Sequence, residues 1–267
     1  MTARKGTDMT PTSVPYHSKE VSEERLFHIF KINSLDRYLD SGKAELFYRL
    51  ASILVETNKS LNLTAVTDAE GIILKHFADS LIAVDKLPEW ASVIDVGCGG
   101  GFPTFPLAIV RPDLKITALD STEKKINFVA ATAKELGLSN IRAISDRAEV
   151  LGKGAMRESF DVATARAVAP LQILSELCIP FVKVGGSFIA MKALHADDEL
   201  ADALSFDIFS KLGCEKEPSA EQLTRLGGDA PMTRAVIAAK KIKRTPDVYP
   251  RNYSQIAKSA KKKPPKQ

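Results

Sequence analysis

The sequence has few cysteines and no apolar run long enough to cross a membrane. Its three cysteines, Cys98, Cys178 and Cys214, lie far apart and form no CxxC pair, which argues against a disulfide framework or a structural zinc site. The four histidines show no metal-ligand spacing, so we predict chemistry that needs no metal. No stretch approaches the roughly 18–20 apolar residues of a membrane helix.

The beginning of the chain also lacks the apolar core of a secretion signal. Its first 25 residues carry several acids, which mitochondrial and chloroplast transit sequences avoid. The composition, with 45% hydrophobic and 26% charged residues, is ordinary for a globular protein. We therefore expect a cytoplasmic protein that has no membrane segment and acts as a monomer.

Positive charge is concentrated at the end of the chain. The formal net charge is +4, yet residues 240–267 contain ten Lys or Arg and a single acid. Clusters of Lys and Arg neutralise phosphates and release their counterions. The charge distribution therefore indicates contact with a polyanion, with a solubilising terminus as the alternative.

Four segments differ in their patterns. Residues 1–20 mix Thr, Ser, Pro and charge without apolar periodicity, which predicts a disordered tail. Residues 21–90 form a helical extension, because apolar residues within 26–32, 46–54 and 68–86 recur at helical spacing. Residues 91–245 alternate strands with helices, and residues 246–267 form a basic tail.

The alternating segment predicts βαβ units and a parallel sheet with helices on both faces, an α/β fold. The predicted strands are 92–96, 115–119, 141–144, 160–165 and 186–191, with helices at 123–136 and 170–182. Two final strands, 208–214 and 234–239, are expected to form a hairpin at one edge.

A glycine-rich turn follows the first predicted strand. Gly97, Gly99 and Gly101 stand at alternate positions, where the missing Cβ permits positive φ and a close approach of a ligand. Ligands of open α/β sheets bind beyond the carboxyl ends of the strands. Pro103 suits the first turn of a following helix. The turn therefore predicts a cofactor site.

Two acids near the turn do not by themselves identify the cofactor. Asp120 ends the second strand, 19 residues after Gly101, where a carboxylate can accept the hydroxyls of a ribose in NAD or in S-adenosylmethionine alike. The third glycine of a dinucleotide motif would fall at Phe102, which disfavours NAD. Asp95 precedes the turn, where it either meets a cationic cofactor or stabilises the turn.

Residues 95–103, Asp-Val-Gly-Cys-Gly-Gly-Gly-Phe-Pro, resemble the bacterial small-subunit (16S) rRNA guanine-N7 methyltransferase G family, also called glucose-inhibited division protein B. Further matching blocks lie on both sides of this segment, in the family's order, over about residues 43–266. They are Pro106-Leu107, Asn62-Leu63-Thr64, His76 with Asp79-Ser80-Leu81, Leu119-Asp120-Ser121, Asp161 with Arg166-Ala167, and Met191-Lys192.

The resemblance implies a class I S-adenosylmethionine methyltransferase fold, Rossmann-like, with a seven-stranded, mostly parallel sheet whose last strand is antiparallel. It implies methylation of guanine N7 at position 527 of 16S rRNA, on the naked rRNA or the 30S subunit. The implied cofactor contacts are Gly97, Phe102, Asp120, Ala148, Glu149 and Arg166. We add Asp95, Gly99, Gly101 and Ser121 as cofactor candidates, and Arg166 as the catalytic candidate that positions substrate or cofactor.

The chain departs from the family pattern at four places. The family usually has glycine at the position of Thr104, an aliphatic residue at Phe105, serine at Ala165 and glycine at Ala193. We expect Thr104 to tighten the start of the helix below the cofactor. None of these changes removes a side chain assigned to the cofactor.

The chemistry implied for guanine N7 needs alignment rather than a base. N7 carries a lone pair and no proton, and the methyl group of a sulfonium is already activated, so catalysis consists mainly of positioning. His76 and Asp79 share one face of a predicted helix, where they line the RNA entrance or pair to pack that helix.

RNA binding is predicted for the cations of the last strands and the tail, since phosphate contacts supply affinity. These are Lys192, Arg234, Lys240, Lys241 and Arg251, with Lys243 and Arg244 beside them. Tyr249 and Tyr253 alternate with these charges and either stack on unpaired bases or cover the sheet edge.

Three other functions stay open. The first is a methyltransferase that acts on another RNA, a protein or a small molecule. The second is an RNA-binding module with a vestigial cofactor pocket, against which the complete glycine turn and Asp120 argue. The third, a nicotinamide oxidoreductase, lacks both the third glycine and a catalytic acid–base pair.

Overall fold

The computed structural model describes residues 21–166, 169–193, 196–225, 227 and 231–260. The predicted disordered tail, residues 1–20, and the last lysines of the basic tail, beyond Ala260, lie outside this described part. The division of the chain into a tail, a helical extension, a sheet domain and a basic tail stays a prediction.

Seven strands and ten helical segments make up the described chain. The strands are β1 Ser92–Val96, β2 Lys115–Asp120, β3 Ile141–Ser145, β4 Phe160–Arg166, β5 Val182–Lys192, β6 Ser219–Arg225 and β7 Met232–Lys240. The helices are α1 Glu23–Ile32, α2 Ser41–Leu61, α3 Ala69–Gly71 with a π-helical continuation Ile72–Ala78, α4 Thr104–Val110, α5 Glu123–Glu135, α6 Ala148–Leu151, α7 Leu171–Cys178, α8 Ala196–Ser205, α9 Ile208–Leu212 and α10 Tyr253–Ala260. Single 3-10 turns lie at Asp36–Tyr38, Val84–Lys86 and Ile179–Phe181.

All seven strands form one sheet in the order β3-β2-β1-β4-β5-β7-β6. Strands β1 to β5 run parallel, and β7 runs antiparallel to both of its neighbours. This arrangement confirms the expected α/β class I methyltransferase fold with its antiparallel last strand. The strand order reverses between β1 and β4, so a ligand crevice is expected at their carboxyl ends.

Helices cover both faces of the sheet. On one face α1, α2 and the segment after α3 pack with α4 and α5, and the core there includes the buried rings of Phe30, Phe47, Phe77 and Phe105. On the other face α7, α9 and α10 pack in a second core. Burial of these apolar faces is the main force that holds the helices on the sheet.

The helix predicted over 68–86 is not continuous. The Asp68 side chain caps its start by accepting the Gly71 N–H at 2.6 Å, and the chain then widens into the π-helical segment Ile72–Ala78. Six of that segment's seven residues are buried. A segment packed on nearly all sides shows no single apolar face, so its spacing could not reveal the wider turn.

The strand predicted at 208–214 is wrong. Residues Ile208–Leu212 form α9, whose apolar side chains enter the core beneath the sheet, and Gly213 ends the helix with φ +95°. The edge strand is β6. Much of β6 faces solvent, so apolar and polar residues do not alternate clearly along it. The predicted hairpin at the sheet edge therefore exists, but β6 pairs with β7 in place of 208–214.

No helix within the described ranges has both the length and the apolar character that a membrane span requires.

Candidate cofactor and substrate site

The glycine turn between β1 and α4 has the backbone that its sequence predicts. Gly97, Gly99 and Gly101 have φ values of +75°, +57° and +88°, which side chains other than glycine adopt at a cost. The N–H groups of Gly97 and Cys98 both donate to the Leu119 carbonyl, at 2.7 and 3.0 Å. These bonds fix the turn against the end of β2.

A cleft of about 330 Å³ opens beside this turn. Its walls come from the carboxyl ends of β1, β2 and β3, from the start of α6, and from α7 and α10. Five predicted cofactor residues line it together: Gly97, Asp120, Ser121, Ala148 and Glu149. The volume lies in the range of small-molecule sites.

Asp120 is held rigidly at the edge of this cleft. One carboxylate oxygen accepts the Gly99 N–H at 3.0 Å and the other accepts the Thr122 N–H at 2.8 Å. A carboxylate oxygen has a second lone pair, so each remains able to accept a hydroxyl. The side chain is therefore oriented to bind a diol such as that of a ribose.

Phe102 and Arg166, two further predicted cofactor residues, lie in a neighbouring cluster rather than in the cleft wall. The Phe102 ring stacks on His76 with centroids 4.5 Å apart, and the Arg166 guanidinium carbon lies 5.8 Å from the Phe102 centroid. Arg166 ends β4, across the reversal point from the glycine turn.

Asp79 joins two arginines in this cluster. Its carboxylate oxygens lie 3.4 Å from Nη1 of Arg166 and 2.8 Å from Nε of Arg234. Arg166 also donates to the Lys75 carbonyl at 2.6 Å. The three side chains line a second, smaller cavity of about 110 Å³ together with Lys192. Asp79 therefore lines this cavity and pairs with both of its arginines.

His76 is uncharged at neutral pH. Burial, together with the nearby charge of Arg166, lowers the pKa of His76 to about 4. Its Nε2 lies 2.7 Å from the Thr64 hydroxyl, and Nδ1 lies 3.5 Å from the Arg166 guanidinium. The ring is therefore stacked on Phe102 and hydrogen-bonded to Thr64, and it is not a free base.

Asp95 is a fully buried acid with one unpartnered oxygen. Its Oδ2 accepts the Thr104 hydroxyl at 2.6 Å, while Oδ1 has no hydrogen-bond partner within the described chain. Burial raises the pKa of Asp95 to about 7. A buried carboxylate oxygen without a partner is costly unless a donor or a cation meets it. The hydrogen bond from Thr104 to Asp95 therefore links α4 to β1, in addition to the tightening that is expected at the helix start.

Two of the predicted RNA-binding lysines are largely buried, and the structure corrects the prediction for Lys241, which is fully enclosed. The Lys192 side chain is 6% exposed, with Nζ 2.6 Å from Glu199. Lys241 is fully buried, with Nζ 2.9 Å from Glu158 and 2.6 Å from the Val182 carbonyl. Lys241 is therefore enclosed in the interior, whereas Lys192, although mostly buried, also lines the second cavity.

The remaining predicted cations divide into paired and exposed groups. Arg251 makes a bidentate pair with the buried Glu176 of α7, at 2.6 and 2.9 Å, and Arg234 pairs with Asp79. Lys240 and Lys243, by contrast, are exposed, and Arg244 is exposed while its Nε lies 3.0 Å from Glu158. The exposed group supplies the cations of this region that can meet a phosphate directly.

Sequence reasoning missed the role of Glu176 and placed Tyr253 elsewhere. Glu176 is one acid within an apolar helix, which signals a buried partner, but nothing local identifies Arg251 as that partner. The pattern predicts RNA stacking or a place at the sheet edge for Tyr253, whereas in the structure Tyr253 lines the cofactor cleft. The approach of α10 to the cleft is a tertiary contact that the pattern does not encode.

The sheet order, the glycine turn and the acid at the end of β2 together define a class I methyltransferase. The model of the family described as "rRNA small subunit methyltransferase G" matches residues 43–220 of the chain, and the chain belongs to this family.

Curated relatives support the assignment over most of the chain. The chain is 44% identical to the ribosomal RNA small subunit methyltransferase G of Staphylococcus epidermidis over 216 residues, which cover 80% of the chain and 88% of that protein. It is 42% identical to the protein of the same name from Staphylococcus carnosus over 235 residues, which cover 86% of the chain and 95% of that protein.

Proposed function

We propose that this protein transfers a methyl group from S-adenosylmethionine to N7 of guanine 527 in 16S rRNA. Membership of the small-subunit rRNA methyltransferase G family gives the reaction class. The observation that carries the cofactor assignment is the cleft in which Gly97, Asp120, Ala148 and Glu149 converge. Because the acceptor belongs to the small ribosomal subunit, the proposal places the protein in the cytoplasm.

The residues present fit this cofactor at both of its ends. Asp120 offers acceptor oxygens for the ribose hydroxyls, and the cleft beside Ala148 has room for the base. Asp95 offers a buried carboxylate oxygen that lacks a partner, which suits the cationic end of the molecule. When bound, S-adenosylmethionine supplies an activated methyl group.

The protein's own groups then align the acceptor and exclude competing chemistry. Guanine N7 has no proton to remove, and the neutral His76 has both ring nitrogens engaged, so no general base takes part. Arg166, fixed by Asp79 and the Lys75 carbonyl, is the positioning residue between the cofactor turn and the second cavity. Holding two reacting atoms in line converts a bimolecular encounter into an effectively unimolecular step.

The second cavity supports a place for the RNA. It opens at the carboxyl ends of β4 and β5, where Arg166 and Arg234 flank a single carboxylate, Asp79. Two guanidinium groups that share one acid leave a positive excess, which favours a phosphate or the acceptor edge of a base. Lys240 adds an exposed cation on β7, the strand that carries Arg234.

A methyl-transfer assay tests the proposal. Purified protein is incubated with 30S subunits or 16S rRNA and S-adenosylmethionine labelled in the methyl group, and the modified nucleoside is mapped by mass spectrometry. We expect one N7-methylguanosine at position 527, and none when adenine replaces that guanine. The variant Gly97→Arg is expected to abolish transfer, because a long side chain would fill the cleft beside the turn.

The outcomes separate the parts of the proposal. Cofactor binding without N7-methylguanosine in either substrate would refute the acceptor and leave the methyltransferase class standing. Absence of cofactor binding would refute the reaction and revive an RNA-binding module with a vestigial pocket. Methylation of 30S subunits but not of naked rRNA would identify the assembled particle as substrate.

A further inference from the structure

The C-terminal helix α10 is fixed to the body of the protein by a buried ion pair. Arg251, just before the helix, donates to both oxygens of Glu176 on α7, and also to the Ser259 hydroxyl at 3.0 Å. Glu176 is fully buried, and Ile256 of α10 is buried against the same core. A buried carboxylate that loses its partner is strongly destabilising, so this clamp holds α10 in one position.

That position brings Tyr253 to the cofactor cleft. Tyr253 begins α10 and lines the cleft with Ala148 and with Leu177, a residue of α7. Tyr253 is 41% exposed. A large aromatic surface that faces a cleft is available to a ligand.

A charged pair at the start of α6 holds the Tyr253 ring beside the cleft. The Arg147 guanidinium carbon lies 5.6 Å from the centroid of Tyr253, and Arg147 is itself bound to Glu149 at 2.6 Å. This pair holds the tyrosine by a cation–π contact. Asp120, which takes the ribose end, lines the same cleft, so the base of a bound nucleoside lies within the reach of Tyr253.

We propose that Tyr253 is a binding residue for the adenine ring of the cofactor, and that α10 is a wall of the cofactor site held in place by the Arg251–Glu176 pair. This inference rests on the proposed function, because it takes the cofactor to be an adenosine derivative.

Calorimetric titration tests the inference with two probes, S-adenosylhomocysteine and 5′-methylthioadenosine, which share adenosine but differ at the amino-acid end. Stacking of an aromatic side chain on a base is worth roughly 1–3 kcal/mol, and a half-exposed ring belongs at the lower end. We therefore expect Tyr253→Ala to weaken both probes by about fivefold or more. Tyr253→Phe, which keeps the ring, is expected to bind as the wild type does.

Matched controls separate a lost contact from a disturbed helix. Lys258→Ala removes an exposed side chain from the same helix outside the cleft and should leave both affinities unchanged. Thermal unfolding of the unliganded Tyr253→Ala variant should match the wild type, since the substituted ring is half-exposed. Asp120→Ala should remove binding of both probes and so report the proposed ribose site.

The possible results are distinct. If the wild type binds both probes, Asp120→Ala does not, and Tyr253→Ala binds like the wild type, the inference is overturned while the proposed function stands. If Tyr253→Ala binds both probes as the wild type does but binds 16S rRNA more weakly, Tyr253 contacts the RNA instead. That result would also overturn the inference. Failure of the wild type to bind either probe would remove the proposed function and this inference together.

Discussion

Replacement of Gly101 by alanine should damage both the backbone of the glycine turn and the packing beneath it. Its φ is +88°, and an added Cβ would lie 2.2 Å from Cε2 and 2.3 Å from Cδ2 of Phe105. The Phe105 ring cannot yield easily. It is fully buried and meets Phe102 and Phe128 edge to face, at centroid distances of 6.4 and 6.2 Å.

The expected loss of stability in Gly101→Ala has two parts. A left-handed backbone costs an L-residue about 1–2 kcal/mol, and forcing extra volume into a close-packed core costs about 1–3 kcal/mol more. We therefore expect Gly101→Ala to lower the free energy of unfolding by about 2–5 kcal/mol. Gly185→Ala is the matched control, because Gly185 has the same φ of +88° and a Cβ there would meet nothing within 4 Å. That variant should lose only the backbone part, about 1–2 kcal/mol.

Urea unfolding at equilibrium measures both variants. The double variant Gly101→Ala with Phe105→Leu provides the decisive comparison, because a smaller side chain relieves the clash. We expect its loss of stability to be smaller than the sum of the two single losses. Equal losses for Gly101→Ala and Gly185→Ala, or strict additivity in the double variant, would refute the steric account of the turn.

Two further predictions concern buried charges. Lys241→Met should lower the free energy of unfolding by about 3 kcal/mol because it leaves Glu158 without its innermost partner, whereas Lys240→Met at the exposed neighbouring position should change it little. Urea unfolding of the two variants measures this difference. Similar losses of stability in both would contradict the burial of Lys241. Burial raises the pKa of Asp95 to about 7, whereas the pKa of an aspartate in the unfolded chain is near 4. The protonated Asp95 side chain therefore contributes its full stability below about pH 4, and this contribution is lost as the pH rises through 7. Asp95→Asn should therefore flatten the fall in melting temperature of the unliganded protein between pH 4 and pH 8, and an unchanged slope would show that another group causes it.

The parallel strands could be predicted because each leaves a clear local pattern. A buried strand reads as a short apolar run, and β1 occupies the predicted residues 92–96. The glycine turn could be predicted for a related reason, since three positions with positive φ require glycine. Asp120 followed from its place at the end of a strand, because the carboxyl ends of parallel strands share one edge of the sheet.

The edge strand and the ion pairs could not be predicted from local patterns. β6 lies at the edge of the sheet and carries polar residues, while the apolar run at 208–214 turned out to be a helix that packs in the core. Arg251 and Glu176 are 75 positions apart, and Arg234 and Asp79 are 155 apart. Such partners meet only through the completed fold, so lysines and arginines that read as an RNA surface include several that serve the interior.

The position of Tyr253 in the cleft has a consequence for the order in which the site is made. Ribosomes synthesise a chain from its amino end, and Tyr253 lies 133 positions after Asp120. The glycine turn and Asp120 therefore emerge well before α10, which completes the cleft. A nascent chain lacks one wall of this cleft until α10 docks on α7.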